Sequence, residues 1–451
     1  MAGTVISAIE LKLQNGASKL VDLLHPERIS SRSFETTVIT GRNGSNKSTL
    51  LKQLVKRIAR PPLGGELVNE SINKNRDQVL CISGSAADRF PQKSNPGGSR
   101  TAFDVPNYTY VGQRVGSNLL SKKAPLEAML SFALDPRKRE RFGWEFFRDA
   151  HAYAGLRSES RYKVQLSPGW REMGLDLIGA IQAKSRERGE VRNSKRSLPH
   201  VSPATAEWLL DEFEYDDFIE LQNWGARKGV RLATVSLSER GAAVKNSEIS
   251  KEALRLGLLT ELIRLREVTV MPTEGDWFMP AEELSSGEYH MLSTMLAVGF
   301  ALEPKAVLLM DEPENNLHPQ WQRDLMSAIF DVCDKVRLDG HVIISTHSPL
   351  IVGSVPESSS VVDMSSEPTR LSLVSYGASS DELLLSQFGV GSSRNAIVVE
   401  TIQRAISMVE NGSYGGEDFL GLVPDLKKIR AALTDNDPLI SVIDALIDDG
   451  E

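Results

Sequence analysis

The run Gly41-Arg42-Asn43-Gly44-Ser45-Asn46-Lys47-Ser48-Thr49 combines glycines, an amine and hydroxyls in the order that builds an anion cradle. In such a loop successive backbone N–H groups converge at a helix N-terminus, where the helix dipole favours negative charge. The candidate phosphate-binding residues are Asn43, Gly44, Asn46, Lys47, Ser48 and Thr49. Lys47 is placed to reach β- and γ-phosphates and Ser48 to ligate Mg²⁺. One position departs from the pattern GxxxxGK[ST], because Asn46 stands where the second glycine belongs. Asparagine tolerates positive φ better than other non-glycine residues, so the loop can form, and affinity or turnover is what the departure puts at stake.

A second motif ends an apolar run on two carboxylates, Leu308-Leu309-Met310-Asp311-Glu312-Pro313. Asp311 would hold the metal, and Glu312 would act as the base or orient the attacking water. The polar turn Glu314-Asn315-Asn316-Leu317-His318-Pro319 follows, of the sort that lines a dimer face. Leu284-Ser285-Ser286-Gly287-Glu288 opens a helical pattern, so Ser285, Ser286 and Gly287 would present hydroxyls and N–H groups as an anion site. His347 ends an apolar strand, and Gln113 follows the strand-like Tyr108 to Gly112. Each motif alone has a plain structural reading: a Gly-rich turn, an acidic strand end, a helix cap, a structural histidine, an exposed glutamine. Their order along one chain makes them a series.

The elements that must position these residues are legible around them. Val5 to Leu13 alternates, Thr37 to Thr40 reads as a strand before the loop, and Ser48 to Leu54 as the helix after it. Ala306 to Met310 and His341 to Ser345 read as buried parallel strands joined by a crossover helix. Gly84 to Asp104 reads as a surface loop. From Ser121 to Val268 the pattern is charged and helical without a sustained heptad repeat, which predicts a helical insertion. The expected division is therefore 1–120 for a first lobe, 121–268 for the insertion, 269–375 for the second part of the head, and 376–451 for a helical C-terminal segment suited to partner binding. Trp144, Trp208 and Trp224 are expected as core anchors.

Composition narrows the function classes. A net charge of -8 with pI about 5.6 argues against coating nucleic acid by charge alone. The basic run Lys184, Arg186, Arg188, Arg192, Lys195 and Arg196 is the local candidate for DNA or RNA contact, a solvated loop being the plain alternative. Cys81 and Cys333 have no metal or redox spacing, and no signal peptide or membrane span is indicated, so a cytoplasmic protein is expected.

In this order the motifs resemble the ABC-type ATPases, with an α/β P-loop NTPase head. The resemblance implies Walker A roles for Lys47 and Ser48, a Q-loop role and metal contact for Gln113, and Walker B roles for Asp311 and Glu312. It also implies a signature at Ser285, Ser286 and Gly287, a D-loop at Asn316 and a switch at His347. ATP and Mg²⁺ are the implied cofactors, sandwiched between two heads of a homodimer. LSSGE, DEPENNLHP and THSPLIV are similar to the SMC/RecF-like branch. The tail, with Tyr376-Gly377, Asp381 to Leu384, Phe388-Gly389-Val390 and Ser393-Arg394-Asn395, resembles the PtuA-like ATPase subunits of Septu and retron anti-phage systems. That family implies an HNH-type nuclease partner (PtuB-like), and no HNH-like histidine cluster or TOPRIM-like acidic series occurs in this sequence. A DNA-repair ATPase acting directly on DNA and a nucleotide-locked scaffold are the rival readings. Phe34 is the one aromatic before Gly41 placed to stack on adenine.

Overall fold

The computed structural model describes residues 4–29, 32–59, 77–93, 103–115, 119–135, 137, 143–167, 170, 176–187, 201–227, 231–245, 248–374, 396–411, 413–433, 437 and 439–448. An N-terminal hairpin, β1 (Ala8–Lys12) and β2 (Ser18–Asp22), precedes β3 (Glu35–Thr40), α1 (Lys47–Ile58), β4 (Gln78–Ser83) and β5 (Tyr108–Val111). The middle of the chain holds α2 (Ala124–Ala133), α3 (Glu145–Tyr153), β6 (Leu156–Leu166), α4 (Leu177–Ser185), α5 (Pro203–Glu212) and α6 (Tyr215–Ala226). It continues with β7 (Leu232–Ser238), β8 (Gly241–Lys245), α7 (Lys251–Leu259), β9 (Ile263–Pro272) and β10 (Met279–Pro280). Then come α8 (Ser286–Ala301), β11 (Ala306–Asp311), α9 (Pro319–Val336), β12 (His341–Ser345), the single turn α10 (Pro349–Val352), β13 (Ser360–Asp363) and β14 (Arg370–Leu373). The helices α11 (Ala396–Glu410), α12 (Glu417–Ala432) and α13 (Leu439–Asp448) complete the described chain.

The central sheet has seven strands in the order β14-β13-β3-β12-β11-β4-β5, parallel except for β14. Its middle strands are apolar throughout because both faces are covered. Val38, Leu80, Leu308, Met310 and Ile344 pack toward α8 and α9, while their neighbours Ile39, Val79, Leu309 and Ile343 pack toward α1 and the β1–β2 hairpin. The register places Asp311 opposite both Ser345 and Ser83, and Ser345 opposite Ile39. The carboxyl ends of β3, β12, β11 and β4 thus form one edge, the usual ligand-binding edge of an α/β sheet.

The α/β P-loop head is as expected, and the insertion is a correction. It contains helices and also a five-stranded antiparallel sheet, β10-β9-β6-β7-β8. Along β6 the buried Tyr162 and Val164 alternate with Arg161 and the exposed Lys163, a period of two that its charges disguise as a polar helix. The run from Ser250 to Val268, expected as one helix, breaks at Glu261, whose φ is 59°. Beyond it Ile263 and Leu265 are buried and Arg264 and Arg266 exposed, which is strand alternation. β9 also carries the insertion past residue 268, into the segment expected to be head.

Trp144 and Trp224 are buried and Trp208 packs against the same core, and both cysteines are buried and free. The C-terminal helices have their own core, built on Val398, Ile402, Phe419, Leu426 and Ile443. The tail motifs between residues 376 and 395 lie outside the described residues. No helix among the described residues is long and apolar enough to cross a membrane.

A buried histidine makes the fold sensitive to acid. His151 on α3 stacks on Phe147 and donates from Nδ1 to the Phe147 carbonyl at 2.7 Å, while its buried Nε2 has no partner among the described residues. Burial pushes its pKa down to about 4. The unfolded chain takes up this proton first, so the stability is present above the ordinary histidine range and is lost as pH falls. Between pH 7 and pH 5 the wild type should lose about 2 kcal/mol more than His151→Leu. Urea unfolding of both proteins at the two pH values gives the comparison; equal losses would show that the imidazole is not held neutral.

Candidate nucleotide site

β3 delivers its chain into the glycine loop at Thr40. Gly41, at φ 139°, has no room for a side chain, since a Cβ would lie 2.7 Å from Ser45 Oγ and 3.1 Å from Ser365 Oγ. The departure at Asn46 resolves as the residue type suggested: it sits at φ 73°, ψ 20°, the left-handed conformation required just before α1. From there Lys47 folds back over the loop. Its Nζ donates to the Gly41 carbonyl at 2.8 Å and lies 2.7 Å from His347 Nε2. An ammonium can only donate, so this contact holds His347 neutral with Nε2 as acceptor. The His347 pKa is lowered accordingly, by burial first and by Lys47 next, with Glu312 acting the other way. Burial also lowers the Lys47 pKa, against the pull of Glu312, Asp311 and Glu314.

β11 supplies the carboxylates. Asp311 is 1% exposed, and its Oδ1 has no hydrogen-bond partner among the described residues. Burial raises its pKa to about 6, against the nearby hydroxyls of Ser345 and Ser48. A buried, orphaned carboxylate oxygen beside a serine hydroxyl is an all-oxygen donor set that a Mg²⁺ ion fits. Glu312 takes φ 50°, which turns it out of the strand, and its N–H donates to the Ser345 carbonyl at 2.8 Å. Its Oε2 accepts from Asn315 Nδ2 at 2.8 Å, and its Oε1 lies 3.8 Å from His347 Nε2. Gly84 passes so close that a Cβ there would meet the Glu312 carbonyl at 2.2 Å.

The Leu284 to Glu288 motif does sit at a helix start, and part of it serves as a cap. Ser285 Oγ accepts from the Glu288 N–H at 3.3 Å, and Glu288 Oε2 accepts from the Ser285 N–H at 2.9 Å, a reciprocal capping box. Ser286 lines a cleft of about 160 Å³ together with Gln113, Asn316, Ser83 and Gly84. Gly287 lies against the turn after β11, where a Cβ would come within 2.9 Å of the Asn316 carbonyl. Asn316 itself takes φ 65°. His290, one turn along α8, donates from Nε2 to the Pro313 carbonyl at 2.9 Å.

The structure therefore gathers Lys47, Ser48, Asp311, Glu312 and His347 at one strand edge. Ser286, Gln113 and Asn316 are gathered in a cleft whose lining does not include Lys47. One sequence expectation is changed. Phe34 is not available to a base, because it is buried, with its ring stacked on Phe330 at 6.1 Å. In the basic run Lys184 pairs with Glu187 at 3.1 Å, and residues 188–196 lie outside the described residues. Two contacts were not anticipated. Ser365 Oγ accepts from the Arg42 N–H at 2.7 Å, and Glu314, expected to face outward, turns its carboxylate in toward the switch. Nothing in the local sequence marks Ser365, which reaches the loop only through the pairing of β13 with β3.

Comparison with known proteins places the chain. Residues 36–353, well over half of it, match the family described as "AAA domain, putative AbiEii toxin, Type IV TA system". The chain belongs to this family. The match runs from β3 to α10 and so contains both the glycine loop and the switch of this AAA domain. Protein ea59 of Escherichia phage lambda is 35% identical over 75 residues, 17% of this chain and 14% of the phage protein. The chain thus matches only a small part of that relative's length. Among solved structures, the ADP conformation of an ATP-binding cassette of an ABC transporter is 12% identical, covers 83% of this chain and 87% of its own, and has a TM-score of 0.24. An SMC head bound to the C-winged helix domain of ScpA is 16% identical, covers 25% of this chain and 33% of its own, and has a TM-score of 0.20.

The left-handed Asn46 gives a direct test of the AAA domain's loop. Asn46→Ala should cost about 1 kcal/mol of stability, whereas Asn46→Gly should stay within about 0.5 kcal/mol of wild type. Thermal unfolding without nucleotide reads both; an alanine variant as stable as wild type would show that the loop does not hold this residue left-handed.

Proposed function

We propose that this protein binds ATP with Mg²⁺ and hydrolyses it slowly, using the two composite sites of a head-to-head homodimer. The observation that carries this reading is the convergence of Lys47, Ser48, Asp311, Glu312 and His347 on one strand edge, with a buried carboxylate oxygen that lacks a partner among the described residues. In the reaction, water attacks the γ-phosphorus, the bond to the ADP oxygen breaks, and ADP and phosphate leave. The loop amides and the α1 N-terminus hold the phosphates, and Lys47 exchanges the Gly41 carbonyl and His347 for phosphate oxygens. Glu312 orients the water and accepts its proton, and His347, released from Lys47, is free to donate from its N–H to the γ-phosphate. Mg²⁺, held through Ser48 and Asp311, would offset charge on the phosphates.

Of the signature residues Ser285, Ser286 and Gly287, Ser286 lines a cleft that does not include Lys47, which supports their acting on the ATP of a second copy. In this reading residues 1–120 and the chain from α8 to 375 form the head, the insertion between them extends through β9 and β10, 376–451 is the partner-binding segment, and the protein works in the cytoplasm. Its biological role, on the resemblance of its motifs, is to regulate an HNH-type nuclease in an anti-phage defence complex through the nucleotide state of the heads. A second reading, a nucleotide-locked scaffold, is favoured by Asn46 in the glycine loop.

ATP binding and turnover by the purified chain, beside Lys47→Ala and Glu312→Gln and with mass followed by light scattering, separate the two. Lys47→Ala should lose binding, and Glu312→Gln should cut turnover by about 100-fold or more while accumulating an ATP-bound dimer. ATP bound with no turnover and no change of mass would leave the scaffold. Co-expression with a neighbouring HNH nuclease should give one peak in size exclusion; separate elution with and without ATP would remove the nuclease from the account.

A further inference from the structure

The switch histidine lies beyond the end of β12, so the register of that strand brings it near the site without fixing where its side chain stands. What holds it is a side chain from the turn after β11. Glu314 Oε1 accepts from Thr346 Oγ1 at 2.7 Å and from the His347 N–H at 2.8 Å. Thr346 Oγ1 in turn accepts from the Ser348 N–H at 2.9 Å, and Ser348 Oγ donates to Gln322 Oε1 at 2.6 Å. Thr346 and His347 are thus fastened to the β11–α9 connection, and Ser348 to the first turn of α9. The other carboxylate oxygen, Glu314 Oε2, is buried without a partner among the described residues. Leaving a charged oxygen bare is costly. The charge does have one advantage here: it attracts the Lys47 ammonium, which faces the same histidine.

We propose that Glu314 is the positioning residue of the switch, setting where the His347 imidazole stands relative to Lys47 and Glu312. It touches no reacting atom; it acts by holding the backbone from which the imidazole projects. Its neighbour Asn315 holds the Glu312 carboxylate, so this one turn orients both catalytic side chains. The proposal rests on the hydrolytic reading above, and the experiment keeps the two apart.

The measurement is steady-state ATP turnover by the full-length protein, with affinity for a fluorescent ATP analogue and thermal stability read in parallel. The variants are Glu314→Ala, Glu314→Gln and Thr346→Val. Absence of turnover in wild type is the result that would sink the hydrolytic reading, and the proposal with it. With wild type active, Glu314→Ala should lower kcat about tenfold or more while KM and analogue affinity change by less than about twofold. Glu314→Gln, whose amide oxygen still accepts both hydrogen bonds, should recover most of kcat, and Thr346→Val should fall between. Wild-type kcat in Glu314→Ala would overturn the proposal while leaving hydrolysis intact. A loss of kcat, affinity and stability together, unrescued by glutamine, would also overturn it, because that is the pattern of a merely structural residue. Should Glu314→Ala fail to fold, Thr346→Val decides: unchanged kcat counts against the latch, reduced kcat at unchanged affinity for it.

Discussion

The chemistry of this protein depends on the register of three parallel strands. β3, β12 and β11 each end at the same level, and the pairing of Asp311 with Ser345 and of Ser345 with Ile39 keeps them there. That register is enforced by burial on both faces: a slip of one residue would send Val38, Leu308 and Ile344 to the side now filled by Ile39, Leu309 and Ile343. The glycine loop, the acidic pair and the switch are continuations of these strands. Their proximity is therefore a consequence of core packing, and only the fine orientation of each side chain remains for local contacts to settle.

Those local contacts oppose one another in a way that suits an anion site. Burial disfavours the charged forms of Lys47 and Asp311, and each is in turn held charged by its neighbours or by donors around it. Lys47 finds carbonyl and imidazole partners that are weaker than a phosphate, so its resting contacts are readily exchanged. Asp311 has an oxygen without a hydrogen-bond partner among the described residues. The pocket is thus incompletely satisfied by the chain alone, which is the physical condition for a ligand to bind with a gain that the folded chain does not already have.

Much of this was legible in the sequence because the head obeys rules that act over short stretches. Thr37 to Thr40 and Leu308 to Asp311 read as strands from their composition, and the placement of Asn46 follows from the conformational tolerance of asparagine. The insertion was misread where two periods compete. The segment Ile263 to Val268 carries arginines at alternate positions after a true helix, and the change of period is marked only by Glu261, which carries no sequence signal for a left-handed turn. Ser365 and Glu314 were not found because their roles arise from pairings hundreds of residues long or from the direction in which a turn faces. Phe34 failed for the opposite reason: an exposed role was assigned to an aromatic ring that the core required.

The capping box at the start of α8 constrains what that helix can offer to a visitor. Ser285 Oγ and the Glu288 carboxylate are occupied as acceptors in each other's cap, which leaves the Ser285 hydroxyl only its proton to offer an outside group. The carboxylate also sits at the positive end of the helix dipole, where it neutralises part of the field that an incoming phosphate would feel. A glutamine at this place would make the same cap without the charge. Carrying glutamate instead places a fixed negative charge where the helix dipole would otherwise act on an anion unopposed, so the N-terminus of α8 is a weaker attractor of phosphate than an uncharged cap would make it.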